Sequence, residues 1–437
     1  MSKYCAYPEY KASGVEWLGE IPKSWAVKKL KYICSIGTGT KDTVNAVEDG
    51  VHPFFVRSQT VERINSLGAD CEAVLTAGDG AGVGKVFHYY NGKFDYHQRV
   101  YMLNNFRQAL GRFVYYYLSN NFYKVALEGS AKSTVDSLRM PQFLNFEFSL
   151  PELEVQQGIV LFLDHETAKI DTLIEKQQQL IELLKEKRQA VISHTVTKGL
   201  SSLNGGPNAK LRDSGVEWLG EVPEGWVVGR YKFCTDRIVV GIAEAATHAY
   251  ADSGVPIIRS TNIKEEGLDT AGMLFITEEF AEKNSSKYLH ANDVITVRTG
   301  YPGISAVIPK SLHQSQCFTN LVSTPNSSML PEFLAEYLNS HTGKSYFDLL
   351  GWGSAQKNIS VPILQNIPIA YPVKDEQFKI IECIRKARWK FSVLIDKAEK
   401  QVALLQERRT SLISAAVTGK IDVRDWVAPP ASPTTRK

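Results

Sequence analysis

Residues 78–86 read Gly78-Asp79-Gly80-Ala81-Gly82-Val83-Gly84-Lys85-Val86, and a glycine-rich run ending in Gly-Lys invites a phosphate-cradling reading. A phosphate loop needs glycine five residues before the Gly-Lys pair and a hydroxyl residue directly after it. Asp79 and Val86 hold those two places, and the run does not fit G-x-G-x-x-G either, which leaves a tight turn after a strand. There is no H-E-x-x-H, no nucleophile elbow G-x-S-x-G, no kinase set and no Asn-Pro-Pro-aromatic run of amino-methyltransferases. The nine histidines are dispersed, and one such as His97, beside Gln98 and Arg99, is structural more often than catalytic. The six cysteines (Cys5, Cys34, Cys71, Cys234, Cys317, Cys383) form no Cys-x-x-Cys pair and have no histidine at ligand spacing. That argues against a structural metal or a disulfide framework and fits a reducing compartment. The residue types describe a binder rather than a catalyst.

What positions these residues is a doubled frame. Ser13-Gly14-Val15-Glu16-Trp17-Leu18-Gly19-Glu20-Ile21-Pro22-Lys23-Ser24-Trp25 returns, offset by 201, as Ser214-Gly215-Val216-Glu217-Trp218-Leu219-Gly220-Glu221-Val222-Pro223-Glu224-Gly225-Trp226. A solenoid unit runs about 20–50 residues, so a period this long means a whole domain has been duplicated. Further along the offset becomes 221. It pairs Leu173-Ile174-Glu175-Lys176 with Leu394-Ile395-Asp396-Lys397, Leu183–Arg188 with Leu404–Arg409, and Pro151, Gln156 and Ile159 with Pro372, Gln377 and Ile380. Flanks are alike and interiors differ. The four repeated tryptophans, identical in both halves, read as packing anchors rather than as base-stacking residues.

From Val155 to Val196 there is no proline and only Gly158. In sevens, Leu163, Ile170, Gln177, Leu184 and Val191 share a register, with Leu173 and Leu180 three further on and Ile174 and Ile181 four further on. The second copy repeats it with Ile384, Phe391, Ala398, Leu405 and Leu412, flanked by Ile395 and Val402. Such spacing predicts two rods of about 40 residues, roughly 60 Å each, with an apolar seam. The economical cover for each seam is its sequence-matched twin, packed antiparallel; packing of each helix on its own domain is the alternative. Gln177 opposite Ala398 would help fix the register.

The interiors read as mixed strand and loop. Val51–Gln59 resembles Val255–Asn262, each a short buried run followed by Arg-Ser, so Arg57 and Arg259 fall at matching places. Asp293–Gly303 is a strand entering a glycine-bearing turn, where the first half has Gly78–Val86. Each half then carries a helix-like segment (Phe113–Leu127, Pro331–Leu350) and a polar loop (Gly129–Thr134, Gly353–Asn358). Composition restrains the reading. The net charge is only +3. Residues 26–150 hold fourteen Lys/Arg against eleven Asp/Glu, and residues 227–371 hold eleven against thirteen. The strongly basic footprint usual for nucleic-acid binders is absent. The N-terminus lacks a signal-peptide core and no run reaches the ~18 apolar residues of a membrane span, so a cytoplasmic protein is expected.

Two variable domains, each opened by S-G-V-E-W-L-G-E-[IV]-P-x-x-W and closed by a long helix, resemble the specificity subunit of type I restriction-modification systems. A G-S-A-x-K type loop, the Pro/Gln entry into each helix (Pro151…Gln156, Pro372…Gln377) and the V-T-x-G or V-T-G-K endings strengthen the resemblance, which runs from about Tyr10 to Ile421. It implies an α+β chain: two mixed α/β target-recognition domains separated by two long conserved helices packed as an antiparallel coiled coil, with a pseudo-twofold internal repeat. The expected boundaries are 1–150 for the first recognition domain, 151–198 for the central helix, 199–212 for a linker, 213–371 for the second recognition domain, 372–421 for the C-terminal helix and 422–437 for a disordered tail.

The resemblance further implies a subunit without chemistry of its own, binding no cofactor. Each half would read one half of a bipartite, asymmetric site on double-stranded DNA, with the helices as a ruler. Two modification subunits would methylate adenine with S-adenosylmethionine, and restriction subunits would translocate and cut with ATP and Mg; no membrane is involved. The alternative is a two-domain coiled-coil scaffold without DNA specificity, whose interiors need not diverge while its flanks stay matched. Base readout needs forked donors and amides. The candidates are Arg57, Gln59, Gln98, Arg99 and Lys132 in the first half, and Arg259, Asn262, Arg298, Gln314, Gln316 and Lys357 in the second. Lys132 and Lys357 are better suited to phosphate, a contact that positions without specifying.

Overall fold

The thirteen-residue motif folds identically in both copies. Tyr10–Ala12 pairs antiparallel with Glu20–Pro22, and Leu211–Asp213 pairs with Glu221–Pro223 in the same register. In each turn the serine Oγ accepts the amide of the valine two residues on, at 3.1 Å (Ser13–Val15, Ser214–Val216). Trp25 and Trp226 close the motif from inside, both buried. Trp17 stacks on Phe146, and Trp218 meets Tyr346 edge-on while keeping part of its surface exposed.

The computed structural model describes residues 4–126, 138, 140–200, 210–243, 247–351 and 357–429. Two compact units comprise it: Met1–Gln178 with Lys400–Lys437, and Gln179–Glu399. Each unit therefore holds one motif, one interior, the start of its own long helix and the end of the helix from the other repeat.

In the first unit a six-stranded sheet has the order Ser35–Thr38, Val100–Asn104, Ala69–Ala77, Phe87–Tyr96, His52–Phe55, Glu62–Ile64. Neighbours are antiparallel except His52–Phe55 beside Phe87–Tyr96. The central strand Ala69–Ala77 shows why the sheet forms. Alternate residues of a strand point to opposite faces, and here Val74 joins a core with Phe87, Phe113 and Phe122, while Ala73 and Leu75 join Phe55 and Phe94. The second unit splits the arrangement into two four-stranded sheets, one containing Val294–Thr296 and the other Val255–Ile258 beside Gln316–Cys317. The same alternation sends Val294 and Ile295 to different cores. Both halves then return to the frame: Glu147–Leu150 pairs with Ala26–Lys29, and Pro368–Tyr371 pairs with Val227–Arg230.

Both long helices form, Leu153–Lys198 and Lys374–Val417, with Glu154, Asp375 and Glu376 in the first turns where the helix dipole favours acid. The seam differs from expectation in one respect. Ile181 is buried and Ile174 half-buried, whereas Leu173 and Leu180, equally eligible by spacing, are 48% and 42% exposed. Each helix ends against the motif of the other repeat. Gly199, at φ +76°, faces Trp226, and Gly419, at φ +74°, faces Pro22 and Trp25 so closely that a Cβ would lie 2.4 Å from Pro22 Cδ. The segment after the second interior's sheet is two helices rather than one, Pro331–Asn339 and His341–Leu350. Ser340 takes an extended conformation between them and its Oγ caps the Gly343 amide.

The strongest link between interior and frame is a buried glutamine, present twice. Gln156 accepts the Leu110 amide at 2.9 Å and donates to the carbonyls of Gln108 (2.9 Å) and Pro151 (2.8 Å). Gln377 does the same with the Leu330 amide (2.8 Å) and the carbonyls of Ser328 (3.1 Å) and Pro372 (2.9 Å). Both are fully buried. About two turns further along each long helix, the two halves use opposite charges. Arg112 of the first interior binds Asp164 of its long helix at 2.9 Å, and Glu332 of the second binds Arg385 at 3.3 Å. Tyr116 and Thr167 at 3.5 Å have their counterparts in Glu336 and Arg388, a bidentate pair with side chains 10% and 24% exposed. A first-interior helix laid on the second long helix would set Arg112 against Arg385, so each interior fits its own helix.

Two consequences can be measured. Gln377→Leu orphans the Leu330 N–H in the core and costs about 1–3 kcal/mol for that donor alone. Hydrogen exchange should show protection lost around 328–339 and 372–384, with the 108–121 region unchanged. Burial pushes the Glu336 carboxyl above its ordinary value, against the opposing pull of Arg388. Arg388→Leu leaves that acid buried without its cation, at about 3–5 kcal/mol near neutral pH. With the folded value raised above the unfolded one, the variant regains stability as pH falls and loses it as pH rises. Urea unfolding at a series of pH values checks both the size and the sign.

Candidate nucleic-acid interface

Four first-half candidates meet on one rim of the six-stranded sheet. Arg57 and Gln59 follow His52–Phe55, and Gln98 and Arg99 form the turn between Phe87–Tyr96 and Val100–Asn104. Asp79 gathers them. Its Oδ1 accepts Nη1 of Arg57 at 3.0 Å and its Oδ2 accepts Nη1 of Arg99 at 2.6 Å. Gln98 donates to Asp42 at 2.5 Å, and Gln59 donates to the Lys85 carbonyl at 3.3 Å across the glycine-rich turn. That turn is a short 3-10 helix, Gly80–Gly82, as a turn reading requires. A cavity of about 300 Å³ opens here, lined by Thr38, Gly78, Asp79, Gln98, Arg99, Tyr101 and Leu138. Lys132 lies outside the described residues.

His97 shapes this turn from beneath. It is buried, and its Nδ1 accepts the Arg99 amide at 2.9 Å, which puts the ring proton on Nε2, 3.8 Å from Asp42 Oδ2. Burial first, and Arg57 second, hold its pKa below the ordinary histidine value. A neutral imidazole is what an acceptor Nδ1 demands.

The second unit places its candidates differently, and two are buried. Asn262 is 3% exposed, with Oδ1 taking the Arg259 amide at 3.0 Å and Nδ2 giving to the Asp269 carbonyl at 2.9 Å. Its amide is consumed by its own turn. Gln316 is fully buried, and its Nε2 donates to the carbonyls of Ala281 and Asn284, both at 2.9 Å, capping the end of the helix Glu278–Lys283. Both amides are buried and engaged by backbone groups rather than presented on the surface.

Arg259 is not the twin of Arg57. Phe55 pairs with Tyr96 and takes the His97 amide, and Ile258 pairs with Cys317 and takes the Phe318 amide, which fixes Phe55 and Ile258 as equivalents. Arg57 is then two residues past its strand and Arg259 only one, a shift that turns side chains to opposite faces. Arg259 reaches the Gly272 carbonyl at 3.3 Å. Arg57's place is held by Ser260, which donates to Asn320 Oδ1 at 2.8 Å, and Asn320 in turn occupies the place of Arg99. Arg298 and Lys357 share a small ladder, since Arg298 precedes Thr299–Gly300 and that strand pairs with Lys357–Asn358. Lys357 binds Asp348 at 3.2 Å. Gln314 sits apart and exposed in a tight turn at φ +64°.

Sequence reasoning missed Asp79 as the partner of Arg57 and Arg99 and saw it only as a misfit in a phosphate loop. It also missed Ser260 and Asn320. The signal available was Asp79 itself, a lone acid among glycines, with one arginine-bearing turn before it and another after it.

Comparison with known proteins agrees with this architecture. Residues 22–183 and 244–387, more than half of the chain, match the family described as type I restriction modification DNA specificity domain. The chain is 25% identical over 433 residues to the type I restriction enzyme EcoDI specificity subunit of Escherichia coli, covering 94% of this chain and 91% of that protein. It is 22% identical over 427 residues to the MjaVIII specificity subunit of Methanocaldococcus jannaschii, covering 93% and 95%. Among solved structures, a chain from work on complex assembly and conformational transition of the type I R-M system superposes with TM-score 0.61 at 15% identity, covering 92% of this chain and 99% of that one. The HsdS subunit from Thermoanaerobacter tengcongensis gives 0.50 at 14% identity, covering 92% and 98%. These likenesses show the fold, and the family match shows the membership: the chain belongs to the type I restriction modification DNA specificity family.

Proposed function

We propose that this chain is the DNA sequence-recognition subunit of a type I restriction-modification complex. Each half reads one part of a bipartite, asymmetric site on double-stranded DNA. The two long helices, paired as an antiparallel coiled coil, set the spacer between the parts. The chain has no reaction of its own. Two modification subunits carrying S-adenosylmethionine methylate adenine, and restriction subunits carrying ATP and Mg translocate and cleave, in the cytoplasm.

One observation carries the reading. An identical frame (the paired motif, the returning strands and the two buried glutamines) holds two rims whose residues differ at equivalent places. Arg57 and Arg99 on one rim answer to Ser260 and Asn320 on the other. A scaffold has no use for matched frames with unmatched rims, whereas a reader of two different half-sites needs them. Forked guanidiniums suit guanine edges. The modest net charge is workable where partner subunits supply much of the phosphate contact that dominates affinity.

Arg99→Ala should weaken binding of the chain with its modification partner to its target by about 1–3 kcal/mol, relaxing preference only in the first half-site. Competition binding with duplexes altered in one half at a time measures this. Equal loss on all sequences would reduce Arg99 to a phosphate contact.

A further inference from the structure

Asp79 is an acid on a surface that should face a polyanion. Its carboxylate stands at the N-terminus of the Gly80–Gly82 turn but caps no backbone amide there. Instead each oxygen holds a different guanidinium, and its side chain is only 13% exposed while those of Arg57 and Arg99 are 45% and 62% exposed. Each arginine uses only Nη1 on Asp79; the other guanidinium nitrogens make no further hydrogen bond among the described residues. The cluster carries net charge +1, so the acid can approach DNA without net repulsion. The same carboxylate lines the 300 Å³ cavity together with Arg99 and Gln98.

We infer that Asp79 is a specificity-determining residue of the first half, and that the Arg57–Asp79–Arg99 cluster reads a G·C pair. The inference rests on the DNA-reading function proposed above. A carboxylate can accept from the exocyclic N4 amino group of cytosine, and guanidinium donors match O6 and N7 of guanine. The two groups are already held side by side, so one base pair presents both partners in the major groove at once. An A·T pair also offers two acceptors, N7 of adenine and O4 of thymine, but the N6 donor lies between them and a methyl group beyond, so no single guanidinium spans both as it spans O6 and N7 of guanine. The carboxylate also fixes both arginines before DNA arrives, which removes ordering cost from binding. The second half has no such acid between donors. Its equivalent residues, Ser260 and Asn320, are bonded to each other, so its readout must differ.

The test is adenine-methylation sequencing in cells carrying this chain with its intact modification subunit, comparing wild type, Asp79→Ala and Asp79→Asn. The wild-type motif should contain a G·C pair in its first part. Asp79→Ala should reduce discrimination at that one position by about tenfold or more, with the second part of the motif unchanged. Asp79→Asn keeps the shape and one acceptor, so a second part still read normally by that variant shows an intact fold. The inference is overturned by a first part without G·C, by a variant motif identical to wild type, or by uniform weakening at every position. A wild-type chain directing no two-part motif would instead sink the proposed function.

Discussion

Everything in each unit hangs on one buried side-chain amide. Gln156 and Gln377 each join the first turn of a long helix to the backbone just before an interior helix, with three hydrogen bonds to backbone groups and no exposed surface. A buried glutamine is costly unless every group is answered, so its geometry tolerates little slack. That rigidity is what lets the interior sheets differ. The interior helix is held at fixed orientation to the frame, and whatever the sheet rim carries is presented from a constant platform.

Around that joint the two halves have diverged in a controlled way. Strand registers next to the frame are preserved, while the interior of the second half breaks one sheet into two. The ion pairs beside the glutamines reverse sign between halves. Both kinds of change follow from one requirement: two similar interiors must fold on their own helices and present different surfaces. The rims then differ in chemistry as well as sequence, an arginine–carboxylate–arginine cluster in one half and a hydroxyl–amide pair in the other.

Much of the frame is legible in the amino-acid order alone. Repeated residues at constant offset reveal the duplication, and apolar spacing locates both helices to within a few residues. The Pro/Gln entry is visible as a pattern, but its meaning as a clamp depends on partners about 46–48 residues away in sequence. Heptad spacing cannot choose between Leu173 and Ile174, because both are apolar and only packing decides which faces inward. The rim is less legible. Arg57 and Arg259 look equivalent in sequence, yet a single residue of register separates them, and only strand pairing reveals it. Asn262 and Gln316 have the right chemistry for adenine, but the sequence does not show that buried backbone groups take up the same amides. Asp79 escapes notice because acids are not expected among DNA contacts until their cationic neighbours are known.

The central claim is that one chain with two different rims defines one two-part DNA site. Methylation-aware sequencing of the host genome, with and without this gene and with its modification partner intact, tests it most directly. The account predicts adenine methylation at a single motif of two dissimilar parts with a fixed gap, lost when the gene is removed. Active methylation by that partner at the same sites in both strains would contradict it.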